Sequence, residues 1–303
     1  MMPLPNGIWP ILSTPFTDTD RVDLDGLASL VDFYKEAGVS GLLALGQASE
    51  VLALHDDERF LVAEHVATLC KGELPLVVVG NFGRTLAEQA SSLSRVAALG
   101  ADAAVVGLSL LPSAERMDEQ LLELAEQVDG IPLGIYELPE PEHRLLSPEQ
   151  VARVARSGRF YFMKDTCRQA EPFIAKLKAA QGTKLKLFQA NLRVLPESMA
   201  AGSHGFCGWM PMVAPELCAQ LIHTGTPPEI KRLAYEKLMA FQTVMVAQGF
   251  PASAKYLLMK RGVKIHAHSR VASARPFSSE GAAILDRTIE TEDPFALIPT
   301  PDS

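Results

Sequence analysis

Two side chains that can carry out covalent or proton chemistry each close an apolar run. Lys164 follows four large apolar or aromatic residues at 160–163, and Tyr136 closes the run 131–135. Runs of this kind are typical of strands buried on both faces. Burial penalises an ammonium group and lowers the lysine pKa, and a neutral amine can attack a ketone to give a Schiff base. The pair therefore predicts an active site with an amine nucleophile and a phenol that transfers protons.

A glycine-containing turn supplies a third function. Gly46-Gln47-Ala48-Ser49 follows another apolar run, and such a turn can present backbone N–H groups, an amide and a hydroxyl to a carboxylate. An amine that condenses with a 2-oxo acid gives an iminium, which acts as an electron sink for the neighbouring carbon. The turn is therefore the predicted site for the carboxylate of such an acid, with Gln47, Ala48 and Ser49 as contacts. The alternative is that Gln47 and Ser49 only close the turn.

The elements that must position these groups alternate regularly along the chain. Eight short apolar runs are the predicted strands: 8–13, 41–45, 74–79, 103–106, 131–136, 160–164, 186–190 and 205–207. The amphipathic stretches between them have helix start signals, such as Ser147-Pro148, and glycines after their ends. This alternation predicts an α/β protein, a (β/α)8 TIM barrel. The rival is a doubly wound open sheet, which the lack of a G-x-G-x-x-G sequence after an early strand disfavours.

Active-site groups of a barrel lie at the C-terminal ends of its strands and in the loops that follow them. Lys164, Tyr136 and the turn after the second strand all occupy such positions. Ser109 and Gly208 follow the fourth and eighth strands and are further candidate substrate contacts. The barrel prediction thus gathers all of these residues at one end of the molecule.

The last third of the chain has a purely helical pattern. The predicted helices are 215–223, 228–246, 252–261 and 278–289, which exceeds what the last barrel unit needs. We therefore predict three parts: a catalytic barrel core at 1–211, the last barrel helix with a C-terminal helical extension at 212–290, and a flexible tail at 291–303.

Composition excludes several classes of partner. The chain has 303 residues, 48% hydrophobic and 21% charged, and a net charge of −8. With no basic cluster, neither nucleic acid nor an anionic membrane is expected to bind. The four cysteines form no C-x-x-C pair, the first residues lack the features of a signal peptide, and no apolar stretch approaches a transmembrane span. We expect a cytoplasmic protein without a metal site.

The chain resembles the dihydrodipicolinate synthase / N-acetylneuraminate lyase family of class I aldolases. The resemblance runs from residue 7 to 215 and continues more weakly into the helical extension. The matching pieces are Thr14-Pro15-Phe16, Gly46-x-x-Ser49-Glu50, Tyr136-x-x-Pro139, Leu146-Ser147-Pro148-Glu149, Met163-Lys164-Asp165 and Gly202-Ser203-His204-Gly205. No single piece is specific, whereas the ordered set is specific for the fold and for Schiff-base chemistry.

The resemblance implies roles for individual residues. Lys164 forms the Schiff base, Tyr136 is the general acid/base, and the Gly46–Ser49 turn holds the substrate carboxylate. Arg144 is a candidate replacement for a substrate-binding arginine of the family; a surface arginine is the alternative. The family also implies a homo-oligomer, a tetramer or dimer, and a reaction that uses no cofactor beyond the covalent Schiff base on Lys164.

The sequence also departs from the family pattern. The turn has lost both hydroxyls next to Gly46, and the tyrosine pair of the synthase branch is absent from 107–112. Lysine biosynthesis is therefore not favoured, and sialic acid cleavage is no better supported. We predict a lyase that releases or condenses pyruvate, acting on a 2-oxo acid. The alternatives are a dehydratase of a deoxy-keto sugar acid that uses the same lysine, and a non-catalytic barrel that binds a carboxylate.

Overall fold

Eight parallel strands form the centre of the protein. The computed structural model describes residues 4–271 and 275–299. The strands are β1 (Gly7–Ile8), β2 (Leu42–Ala44), β3 (Leu76–Val79), β4 (Ala103–Gly107), β5 (Leu133–Tyr136), β6 (Phe160–Asp165), β7 (Lys186–Gln189) and β8 (Gly205–Phe206). Each pairs in parallel with its neighbours, in the order β1-β8-β7-β6-β5-β4-β3-β2. An Ile11–Leu43 bridge and a hydrogen bond from Leu12 N to Leu43 O join the two ends of this order. The predicted (β/α)8 barrel is confirmed.

Helices surround the strands and extend the chain beyond them. The barrel helices are α1 (Leu24–Glu36), α2 (Asp56–Cys70), α3 (Leu86–Ala98), α4 (Met117–Gln127), α5 (Pro148–Arg156), α6 (Ala170–Ala179) and α7 (Leu195–Ala200). After β8 come α8 (Met210–Val213), α9 (Pro215–Ile222), α10 (Pro228–Ala247), α11 (Ala252–Lys260) and α12 (Ser279–Glu292). In the described part of the chain, no helix combines the length and apolarity needed to cross a bilayer.

Helix α5 illustrates how local sequence sets an element boundary. Ser147 is the N-cap, its side chain accepts a hydrogen bond from Gln150 N, and the Gln150 side chain accepts one from Ser147 N. Pro148 occupies the first helical position, where its missing N–H costs nothing. This capping box ends the long loop after β5 at a fixed residue. The start signal read from the sequence is confirmed.

Aromatic rings fill the barrel beneath the predicted nucleophile. Trp9, Phe162 and Phe188 are fully buried, with ring centroids 4.8–5.6 Å apart. Phe162 and Lys164 lie two residues apart on β6, so their side chains point to the same side of the strand. Lys164 therefore stands above an apolar floor that excludes water from below.

Two predicted boundaries differ from the structure. The predicted strand 8–13 is ordered as a strand only at Gly7–Ile8, because Pro10 has no N–H to donate to a ladder. The short helix α8 was not predicted; four apolar residues, one of them Pro211, carry too little periodicity to be recognised.

The last described residues pack on the extension. The Phe295 ring meets the Phe241 ring edge-on, and the Gln220 side chain hydrogen bonds to both the N–H and the carbonyl of Ile298. Residues 300–303 of the predicted flexible tail lie outside the described residues. The proposed division at 211/212 and 290/291 stays a prediction.

Candidate active site

A cavity of about 300 Å³ opens at the C-terminal ends of the strands. Its polar lining residues are Gln47, Tyr136, His143, Lys164, Thr166, Arg168, Asn191 and Gln242. Its other lining residues are Pro139, Ala190, Leu192, Gly208 and Trp209. No carboxylate lines it among the residues that the structure describes. The lining therefore suits an anionic small molecule.

Lys164 lies at the base of this cavity. It is 2% exposed, and no hydrogen-bond acceptor among the described residues contacts its amine. Burial lowers the pKa of Lys164 to about 8, and the neighbouring Cys207 opposes the change only weakly. A considerable fraction of the amine is therefore unprotonated near neutral pH, as a nucleophile requires.

Tyr136 stands beside Lys164. The two residues are paired in register on β5 and β6, and the Lys164 amine lies 4.4 Å from the centroid of the Tyr136 ring. Burial raises the pKa of the phenol well above its ordinary value; Cys207 adds to this, and a hydrogen bond from the Gln47 backbone opposes it. The phenol therefore keeps its proton and can act as a donor.

The turn after β2 is a 3₁₀ turn, Gln47–Ser49, flanked by two strained residues. Leu45 and Glu50 both adopt positive φ, 57° and 63°, a region that non-glycine residues rarely occupy. Gln47 lines the cavity, whereas Ala48 and Ser49 are buried. The backbone N–H of Ala48 has no acceptor among the described residues, as expected at the start of a helical turn. The structure thus offers backbone donors here.

The side chain of Ser49 faces away from the cavity. Its hydroxyl donates to Leu12 O at 2.5 Å and accepts from Gly46 N at 3.1 Å, while Thr14 donates to the carbonyl of Ser49 at 2.7 Å. Ser49 therefore shapes the turn, and its hydroxyl is not free to bind a substrate.

Glu50 anchors the turn to the C-terminal extension. Lys255 on α11 donates to Glu50 Oε1 at 2.5 Å, and both side chains are fully buried. Glu50 Oε2 accepts hydrogen bonds from Ser269 Oγ, Arg270 N and Val271 N. These bonds satisfy a buried carboxylate and fix the residue that ends the turn.

Ser109 and Arg144 do not line the cavity. Ser109 Oγ donates to Glu140 O at 2.5 Å. Arg144 donates to the carbonyls of Leu108 and Leu111 and pairs with Glu142. Both residues hold the loops after β4 and β5 together. Gly208, by contrast, lines the cavity.

Apart from Asn191, which directly follows the seventh predicted strand, four polar lining residues were missing from the predicted set. Arg168 and Thr166 follow Lys164 closely and could have been found by extending the list past the strand end. His143 lies in the long loop after β5, and Gln242 lies on α10. Only the tertiary structure brings these two to the cavity, because no spacing in the sequence links them to a strand end.

A buried ionic cluster lies next to Lys164 and Tyr136. Lys176 on α6 pairs with Glu137 and, at 2.8 Å, with Asp165, and its amine is 3.2 Å from Cys167 Sγ. Burial and the charge of Asp165 raise the pKa of Glu137 to about 8; Lys176 opposes this. Burial lowers the pKa of Lys176, but the two carboxylates outweigh it and raise that pKa overall. The raised pKa of Glu137 therefore reduces the negative charge that the Lys176 ammonium has to balance.

This cluster joins the ends of β5 and β6. Glu137 and Asp165 directly follow Tyr136 and Lys164 in the chain. Glu137 also accepts hydrogen bonds from Leu146 N and Thr166 N. The ligand-type atoms of Glu137, Asp165 and Cys167 lie within 4.8 Å of one another. The ammonium group of Lys176 contacts all three residues, so it occupies the position that a metal ion would take.

A barrel with a desolvated lysine beside a tyrosine at the C-terminal ends of its strands is the arrangement expected of Schiff-base lyases. Residues 4–290 match the dihydrodipicolinate synthetase family model, and the chain belongs to that family. Its members are class I aldolases and lyases that use pyruvate.

Curated relatives are distant but cover most of the chain. The 4-hydroxy-tetrahydrodipicolinate synthase of Anaplasma marginale (strain St. Maries) is 26% identical over 294 residues, 95% of each chain. That of Marinobacter nauticus is 27% identical over 257 residues, 83% of this chain and 87% of its own.

Solved structures agree in fold. YagE, a prophage protein from E. coli K12 solved in complex with pyruvate, has a TM-score of 0.83 at 22% identity, covering 94% of this chain and 97% of its own. The dihydrodipicolinate synthase of Bacteroides thetaiotaomicron has a TM-score of 0.85 at 22% identity, covering 96% and 99%.

Proposed function

We propose that this protein is a lyase that forms a Schiff base between Lys164 and a 2-oxo acid, with pyruvate as the three-carbon piece. The observation that carries the proposal is the position of Lys164, buried beside Tyr136 in a cavity that opens at the strand ends, with no ion-pair partner among the residues that the structure describes. A lysine is costly to bury without a partner, so this placement is best explained by its chemistry.

The proposed reaction begins with attack of the neutral Lys164 amine on the C2 carbonyl. Tyr136 donates a proton as the carbinolamine hydroxyl leaves as water, which gives an iminium. Loss of a C3 proton gives an enamine, and C3 then attacks the carbonyl of an aldehyde, whose oxygen takes up a proton. Water releases the product and regenerates the lysine. Retro-aldol cleavage is the same sequence in reverse.

The backbone N–H of Ala48 is suited to the carboxylate of the 2-oxo acid. Ala48 lies at the start of a helical turn, where N–H groups lack partners and attract negative charge, whereas the Gln47 N–H already donates to the Tyr136 phenol. Gln47 itself lines the cavity. In this proposal Ala48 acts through its backbone and Ser49 by shaping the turn. The scheme uses no metal or organic cofactor.

A homo-oligomer is proposed from the family alone, and light scattering would measure the oligomeric state.

Reductive trapping tests the proposal. The protein is incubated with pyruvate and borohydride, and the intact mass and modified peptide are measured. The expected result is one adduct per chain, on Lys164. Absence of an adduct, or an adduct on another lysine, would overturn the proposal. Screening aldehydes against dehydration substrates then separates a lyase from the dehydratase alternative.

The rate of adduct formation is expected to depend on pH. Because burial lowers the pKa of Lys164 to about 8, the neutral fraction rises about tenfold per pH unit below that value and levels off above it. Initial rates of trapping with cyanoborohydride at several pH values measure this. A profile that still rises steeply above about pH 10 would indicate an ordinary, solvated lysine.

Tyr136→Phe is expected to slow proton transfer. Exchange of the pyruvate methyl protons with D₂O, followed by NMR, reports enamine formation without any aldehyde. We expect this exchange to slow by roughly 10²-fold or more, the scale of general acid–base catalysis. The same assay on Tyr161→Phe, a tyrosine on β6 outside the cavity lining, is the matched control. An unchanged exchange rate in Tyr136→Phe would refute its role.

A further inference from the structure

Apart from Tyr136, the ionisable side chains that line the cavity in the described part of the chain are all basic. The chain carries a net charge of −8, yet the ionisable lining residues other than Tyr136 are Lys164, Arg168 and His143. No carboxylate from the described part of the chain joins them. When the single carboxylate of a 2-oxo acid binds near Lys164, Arg168 and His143 have no acidic group of the substrate to bind. These two residues therefore point to a second negative charge on the substrate.

Arg168 has free hydrogen-bonding capacity. Among the described residues, no carboxylate or carbonyl accepts a hydrogen bond from its guanidinium, whereas Arg144 is fully engaged with Glu142 and two backbone carbonyls. Arg168 is exposed and Lys164 is buried, which places Arg168 at the mouth of the cavity and Lys164 at its base. A free guanidinium at the mouth is suited to bidentate recognition of a carboxylate or phosphate.

His143 is held in a defined orientation beside it. Thr166 donates its hydroxyl proton to Glu137 O at 2.8 Å, so His143 Nε2, 2.7 Å from the Thr166 oxygen, must be the donor in their hydrogen bond. Burial lowers the pKa of His143, and the charges of Arg168 and Lys176 add to this. An anion bound next to His143 would raise the pKa of His143 again. Gln242 and Asn191 add amide donors to the same cavity.

We propose that Arg168, with His143, forms an anion subsite at the mouth of the cavity for a second acidic group, a carboxylate or phosphate, on the substrate. This inference rests on the proposed Schiff base at Lys164. Lys164 and Arg168 are four positions apart, so their Cα atoms are separated by no more than about 14 Å. The long side chains of Lys164 and Arg168 both line the cavity, which shortens the distance between their charged groups. The substrate class is therefore a short 2-oxo acid, or an aldehyde joined to pyruvate, with a negative charge at its far end.

Matched pairs of 2-oxo acids test this proposal. 2-Oxoglutarate and 2-oxopentanoate have the same chain length and differ in the terminal carboxylate, as do 2-oxoadipate and 2-oxohexanoate. The measurement is the concentration that half-saturates reductive trapping on Lys164. In wild type we expect at least one diacid to saturate at about tenfold lower concentration than its partner, as a charge-assisted hydrogen bond predicts. In Arg168→Gln the ratio should fall towards one.

Controls separate the possible failures. Arg156→Gln alters an exposed arginine on α5 that does not line the cavity and should keep the wild-type ratio, and Arg168→Lys should keep part of it. Failure to trap pyruvate on Lys164 overturns the proposed function. Trapping of pyruvate without a diacid preference, or a preference that survives in Arg168→Gln, overturns the anion subsite alone.

Two further measurements complete the test. Inorganic phosphate or acetate is added during trapping of the preferred diacid; the anion that the subsite favours raises the half-saturating concentration in wild type but not in Arg168→Gln. An NMR titration of His143 needs no covalent chemistry. The pKa of His143 should rise when glutarate is added to wild type and should not respond in Arg168→Gln. A pKa that glutarate leaves unchanged in wild type overturns the subsite.

Discussion

Lys164→Met is expected to abolish covalent adduct formation and to make the folded protein more stable. Without the amine no Schiff base can form, so exchange of the pyruvate methyl protons should fall by roughly 10⁴-fold or more, the scale on which enzymes lose activity with their nucleophile. The gain in stability follows from burial, which lowers the pKa of Lys164 from 10.5 to about 8. Below about pH 8 the folded state therefore has to bury an ammonium group that the unfolded state leaves in water.

The expected gain is about 1 to 3 kcal/mol at pH 7. This gain in stability is fully present below about pH 8. It disappears as the pH rises towards 10.5, the pKa of Lys164 in the unfolded state. Denaturant unfolding of wild type and variant across this range measures it. The exposed Lys178 on α6 provides the control, since Lys178→Met should change neither activity nor the pH dependence. A variant less stable than wild type at pH 7 would contradict the account of Lys164 as a buried, unpaired amine.

Lys176→Met is expected to have the largest effect on stability. It leaves Glu137 and Asp165 buried without their cation. Removing one partner from a buried ion pair costs about 3–5 kcal/mol, mainly because an uncompensated charge remains. The free energy of unfolding, measured with denaturant at neutral pH, tests this. Lys178→Met, two residues along the same helix, is again the control, at within about 0.5 kcal/mol of wild type.

A double variant isolates the charge. Because Glu137 already favours its protonated form, Lys176→Met combined with Asp165→Asn leaves no obligatory buried anion. We expect it to recover about half of the lost stability, which a double-mutant cycle measures. If Asp165→Asn lowers the free energy of unfolding of Lys176→Met as much as it lowers that of wild type, packing and not charge stabilises the cluster.

The parts of the site that lie on strands were predictable from the sequence. A strand buried on both faces leaves a clear apolar run, and its last residue necessarily lies at the barrel mouth. Lys164, Tyr136, Gln47 and Gly208 were placed in this way, and the cavity is lined by all four. The barrel itself followed from the regular alternation of such runs with amphipathic segments.

Side chains in loops and in the extension were not predictable in this way. The direction of a loop side chain depends on hydrogen bonds that the sequence does not reveal. Arg144 bonds to backbone carbonyls while its neighbour His143 reaches the cavity, and nothing in their spacing distinguishes them. The ion pair of Glu50 with Lys255 and that of Glu137 with Lys176 join distant segments. Such pairs leave no periodic signal in the sequence.

The anchoring of Glu50 also sets an order of assembly during protein synthesis. The turn Gln47–Ser49 leaves the ribosome early, but Lys255 is made 205 residues after Glu50, and the backbone donors at 270 and 271 later still. Before Lys255 and the backbone N–H groups of residues 270 and 271 have been synthesised, the Glu50 carboxylate lacks these partners. Nothing then stabilises the left-handed backbone conformation of Glu50. A nascent chain can thus carry the complete β6 with Lys164 while the turn Gln47–Ser49 has not yet taken its final conformation. The turn beside Lys164 can take its final conformation only after residues 255–271 have been synthesised.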